Sequence, residues 1–271
     1  MLYDSIKTTA LSLREFKLYP TITDRNAWEN THAKWKDATL KLGEAFLGHK
    51  YAVLTAIDFM EYSRSGNRVK YENKYFEKRL ALNALVLAEC VENEGRFLDD
   101  IVNGIFAICE ESAWQLPSHN SYIRDTPAYC LPDYTEPVLD LFACETGALL
   151  ATVFYLLQEK LDKVSAFIGK RILFEIQNRI IEPYLNKHFW WMGDGVDVLN
   201  NWTIWCTQNI LLASFLIPTD LQVREKIIEK SCKSIDYYLE EYDVDGCCDE
   251  GAQYYRHAGL CLFNAIEVLN A

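Results

Sequence analysis

The sequence predicts an all-α protein, an incomplete α/α toroid made of antiparallel helical hairpins. Three observations lead there. Apolar residues recur at helical spacing along most of the chain, and no stretch alternates as a half-buried strand does. Glycine (12) and proline (7) are scarce among 271 residues, too few for the many turns of an all-β protein. No fixed-period repeat of the tetratricopeptide or HEAT type is present, which favours a closing ring of hairpins over an open solenoid.

Residues 1–23 form a lead-in with little pattern beyond Leu11, Leu13, Phe16 and Leu18. Asp24 is a candidate N-cap for a first helix carrying Trp28, Trp35 and Leu42, and Gly48 breaks that run. Residues 51–62 are expected to be helical, with Val53, Leu54, Ile57 and Met60 on one face. SRSGNR at 63–68 reads as a turn. A long helix follows over 71–91, burying Tyr75, Leu80, Leu82, Leu85 and Leu87, with Gly95 as its stop. Residues 97–109 make the next helix, and Pro117 ends the segment after it. Residues 117–136, with Pro117, Pro127 and Pro132 inside and Pro137 at the edge, read as one long loop. A loop of that length in a compact domain is more often functional than idle. A hairpin is expected from helices over 136–157 and 161–181, stopped by Pro183. Helices near 202–216, 221–242 and 252–270 complete a single domain spanning 1–271.

Half of the residues are apolar and 13% are aromatic, enough to bury a sizeable core. A net charge of -12 argues against a nucleic-acid backbone as the main ligand, while a local pocket can still take an anionic sugar. The nine cysteines are scattered without CxxC spacing and read as small buried residues of a cytoplasmic, reducing setting. The N-terminal segment mixes charge into its apolar residues, unlike a secretory signal, and the apolar run near 148–157 is short for a membrane span. Phosphate loops, GxSxG and metal-ligand spacings are missing, so no cofactor or metal is expected.

Four of the seven tryptophans fall in WWMGDGVDVLNNWTIWCTQN at 190–209, among glycines, aspartates and the pair Asn200–Asn201. Large aromatic faces set among polar groups suit a ligand with apolar faces and a hydroxyl rim, such as a sugar. One Asn is expected to cap the following helix, while the other faces the ligand. A second cluster, CDEGAQYYRHAG, brings Glu250, Tyr254, Tyr255, Arg256 and His257 together, and a tyrosine beside a cation can exchange protons. A third, Trp114 to Asn120, places His119 in the long loop. In a ring of hairpins the loops 114–136, 186–202 and 243–256 would converge on one funnel.

The combination of NNWTIW with CDEGAQYYRHAG before a last apolar helix resembles the heparinase II/III-like polysaccharide lyases. RSGNRVKYE, AECVENEGRF and EESAWQLPSHN are similar to the helical part of the same proteins, from about residue 24 onward. The resemblance implies an α/α toroid followed by a C-terminal β-sandwich, which has no counterpart here. It also implies β-elimination on uronic-acid polysaccharides, with Asn201 neutralising the uronate carboxylate and Tyr254 moving protons. The His that follows the Asn in the related pattern is Trp202 here. His119, Arg256, Tyr255 and Glu250 are then expected to contact substrate, and Trp114, Trp202 and Trp205 to stack on sugar rings. The expected partner is an acidic poly- or oligosaccharide, with neither nucleic acid nor membrane. Two alternatives stand beside this reading. One is a glycoside hydrolase pairing Asp249 or Glu250 with Asp194 or Asp197. The other is a non-catalytic glycan-binding or scaffold module.

Overall fold

The computed structural model describes residues 2–7, 16–196, 198–242, 246 and 250–271, and among these there are helices and no strand. The chain opens with α1 (Leu2–Lys7), which packs on α11 (Leu221–Glu240) near the other end of the sequence. The Leu2 amide donates to Asp236 Oδ1 at 2.6 Å across that contact.

The first long helix expected from the sequence is split. Asp24 does cap, accepting the Ala27 amide, but α2 (Arg25–Glu29) ends at Asn30 and α3 (Ala33–Ala45) starts afresh behind a His32 cap. The two tryptophan rings still stack across the break, with centroids 6.5 Å apart, but only Trp28 is buried, while Trp35 and Leu42 remain 40% and 45% exposed. The next helix also starts later than expected. Residues 51–54 lie outside the helix, and α4 (Ala56–Ser65) opens on a capping box between Thr55 and Asp58. That shift turns Val53 and Ile57 outward, at 75% and 55% exposure, and leaves Phe59 as the buried anchor.

Helices α5 (Val69–Glu92) and α6 (Leu98–Cys109) fall close to their expected places. Asn93 in the left-handed region (φ 63) stops α5 two residues before Gly95. Tyr75, Leu82 and Leu85 are buried as the period requires, but Leu80 is half exposed. The long loop ends at Asp140, the N-cap of α7 (Leu141–Val164), which turns at Ser165 into α8 (Ala166–Ile176). Pro183 does not end the second arm. The chain widens into a π turn over Gln177–Ile181 and continues as α9 (Glu182–Asn186) with the proline in its first turn. The wider turn removes the clash a proline ring makes with an α-helical carbonyl.

The packing order places the site. Helices α5, α7, α10 (Asn201–Phe215) and α12 (Ala252–Asn270) lie side by side in one row, each packed on the next. Helices α6, α8, α9 and α11 make a second row, and α6, α8 and α11 pair with α5, α7 and α10 as hairpins. Helix α3 packs on α5. Helix α10 meets α7, α11 and α12, so it buries residues on all sides, including Ile204, Cys206, Ile210 and Leu211. Helix α7 is long and apolar enough to cross a membrane by length and composition, yet 67% of its most apolar window is buried inside the protein. Of the described cysteines, Cys130 is exposed, and Cys90, Cys109, Cys144, Cys206, Cys232 and Cys261 are buried as apolar packing groups.

Candidate functional site

The site is built where the long loop meets the start of α10. Asn120 holds the loop in place. Its side-chain amide donates to the carbonyls of Tyr129 (2.8 Å) and Leu131 (2.9 Å), and its oxygen accepts from Gln115 at 3.0 Å. This clamp fixes the 3₁₀ turn at Pro117–His119. Within it, His119 Nδ1 sits 2.8 Å from Oδ2 of Asp140. Asp140 has no solvent exposure, and its two oxygens also accept the amides of Leu116 (3.1 Å) and Ala143 (2.7 Å). A carboxylate already fixed by backbone donors holds the imidazole in one orientation. With Nδ1 as donor, Nε2 is left as the acceptor.

The His119 ring lies between aromatic neighbours. Phe142 stacks on it at 5.9 Å, and Trp202 meets it edge-on at 4.8 Å. Trp202 leans in turn on Trp190, at 5.2 Å. The Arg124 guanidinium lies 4.6 Å over the Trp190 ring and donates to the Val198 carbonyl at 2.6 Å. His119, Arg124, Trp190, Asn200 and Trp202 together line a cleft of about 350 Å³. The Ser118 hydroxyl beside His119 is buried with no hydrogen-bond partner.

The two asparagines divide their work differently from the expectation. Asn200 both caps α10, accepting the Trp202 amide at 3.0 Å, and lines the cleft. Asn201 is only 3% exposed, and its side-chain oxygen is buried without a partner. The first residue of α10 points into the packing between helices, so the neighbouring cap faces the cleft. The segment around 250 does reach this place: Glu250 Oε2 accepts the Asn201 amide at 2.7 Å. Tyr254, Tyr255 and Arg256 lie exposed in the first turns of α12, and His257 is half-buried against the Trp205 ring at 3.9 Å. Burial lowers the His257 pKa from its ordinary value, favouring the neutral ring.

Trp114 requires a correction as a sugar platform. It is 1% exposed, its indole donates to the Ile108 carbonyl at 3.1 Å, and Arg179 covers its ring at 4.9 Å. No face remains for a ligand. Trp205 is half-buried and spends its indole N–H on Glu145 Oε1 at 2.8 Å. Of the carboxylates considered for hydrolysis, Asp197 and Asp249 lie outside the described residues. Asp194 is exposed and accepts the Val196 amide, while one Glu250 oxygen is occupied by Asn201. Among the described residues no group of three or more His, Cys, Asp or Glu side chains is arranged to hold a metal ion.

Sequence reasoning missed Asp140, Arg124, Phe142 and Glu145. Asp140 had a readable signal, an acidic residue just before a long apolar run, which marks an N-cap. The partnership with His119 is tertiary and left no mark in spacing. A scan against protein-family models found no match for this sequence, and a search of curated proteins also found none.

Proposed function

We propose that the two rows of hairpins form an incomplete α/α toroid whose His119 cleft binds an acidic glycan and cleaves it by β-elimination. The observation that carries this reading is the Asp140–His119 contact opening on a cleft walled by Trp202 and Trp190 and bearing Arg124. The tryptophans offer ring faces to a sugar, and Arg124 offers the positive charge a uronate carboxylate needs. Quenching that charge acidifies the adjacent C–H. His119 Nε2 then takes the proton, the C–H electron pair becomes the new C=C bond, and the glycosidic C–O bond breaks. A proton returns to the departing oxygen, a role open to the same imidazolium or to Tyr254 on α12.

The test is incubation with uronate polymers while following the absorbance of the unsaturated product. Wild type should gain signal, and His119→Ala and Trp202→Ala should lose it. Loss in Tyr254→Phe with full activity in His119→Ala would move the proton transfer to the tyrosine. Cleavage without a C=C product would identify a hydrolase, and binding without turnover a glycan-binding module.

A further inference from the structure

A second cavity, of about 460 Å³, lies between α5, α7 and α10 and is lined in part by Phe142, the ring that stacks on His119. Its walls are apolar: Phe76 and Phe142 meet edge-on at 5.0 Å, and Leu80, Leu149 and Leu212 complete them. Its polar groups include Asn83, Glu145 and Thr152.

The cation in this cavity is largely engaged by the protein itself. Arg79 also lines it, but its guanidinium grips Glu111 with two hydrogen bonds, at 3.0 and 2.7 Å. Two further donors go to the Tyr75 carbonyl (3.1 Å) and the Thr146 hydroxyl (2.9 Å). Lys78 sits 2.8 Å from the same Glu111 and is turned toward the Ala107 carbonyl. Four of the five Arg79 N–H groups are thus engaged, which leaves an anion little to bind there. Glu145 takes the Trp205 indole N–H on one oxygen, and burial raises its carboxyl above the ordinary range.

We propose that this cavity is a binding site for an uncharged sugar ring, seated against Phe76 and Phe142 and hydrogen-bonded by Asn83, Glu145 and Thr152. Aromatic and aliphatic walls with convergent hydrogen-bonding side chains are what an uncharged pyranose requires. The site is separate from the His119 cleft, and the choice of a sugar as ligand rests on the glycan reading above.

Two indole N–H resonances make the test direct, because Trp205 donates to Glu145 and Trp202 lines the other cleft. The protein is titrated with methyl β-glucopyranoside and, separately, with methyl β-glucuronide, and the tryptophan indole signals are followed by NMR. The glucoside should shift Trp205 saturably and leave Trp190 and Trp202 in place, while the glucuronide should shift Trp202. Leu149→Phe, which fills the cavity, and Asn83→Leu, at an exposed position that keeps folding safe, should each weaken the glucoside about tenfold. Neither should alter the glucuronide response. A glucoside that leaves Trp205 unmoved while the glucuronide moves Trp202 overturns this site and spares the acidic-glycan reading. The reverse pattern supports this site and removes that reading, and silence from both ligands overturns the two together.

Discussion

Asp140 faces His119 across 2.8 Å while serving as the N-cap of α7. One buried carboxylate thus ties the orientation of the cleft imidazole to the start of the longest apolar helix. The two roles separate by substitution. Asp140→Asn keeps one capping oxygen but sets its NH2 against a buried backbone N–H, so its stability cost should be about 1 to 3 kcal/mol. An amide in place of the carboxylate weakens its hold on the imidazole proton and removes the charge that stabilises an imidazolium. Lyase turnover should fall by about a hundredfold or more. Urea unfolding and product absorbance measured on one preparation check this, and unchanged turnover would exclude His119 as the base.

Glu145 should make the protein less stable as pH rises. Burial is the main cause of its raised pKa, so the folded state holds the proton more tightly than the unfolded chain. Its contribution is complete below the unfolded value, about 4.3, and is lost as pH rises through the higher folded value. Glu145→Gln keeps an acceptor for Trp205 and cannot ionise. The variant should gain on wild type between pH 4 and pH 8, read as urea midpoints at several pH values. Parallel curves for the two proteins would show that Glu145 ionises freely.

Asp58 has the opposite sign. The Lys74 ammonium at 2.8 Å, helped by Thr55 and Lys70, holds its carboxyl below the usual aspartate range. That stability is present above the unfolded value, about 3.9, and is lost as pH falls through the folded one. Asp58→Asn should cost about 1 to 2 kcal/mol at neutral pH, through the capping box and the ion pairs, and progressively less in acid. A cost independent of pH would assign it to the cap alone.

Gly43 marks the closest approach of α3 to α5. A Cβ there would stand 2.3 Å from the Ala88 Cβ, with the Ala84 carbonyl oxygen at 3.3 Å. Both neighbours belong to a helix and cannot swing aside, so Gly43→Ala should destabilise by about 1 to 3 kcal/mol. A calorimetric midpoint equal to that of wild type would mean that α3 moves away without loss.

The sequence by itself determined the all-helical class and the approximate bounds of α5, α6, α10, α11 and α12, because period, caps and turn residues act over a few neighbours, while the hairpin expected over 136–157 and 161–181 lies at 141–164 and 166–176. SRSGNR turns at Gly66 (φ 75), Asp24 and Asn200 cap, and α12 spans the expected residues. Local signals could not decide between competing caps. His32 restarts a helix after Asn30, and Thr55 with Asp58 delays α4 and turns Val53 outward. Only the tertiary structure decided which polar groups share a cleft. His119 and Asp140 meet across a loop of twenty residues, Trp114 disappears into the core, and Asn201 gives its expected place to Asn200. Such pairings arise when helices distant in sequence pack side by side, and each contact depends on where a whole helix settles, which short-range residue patterns do not specify.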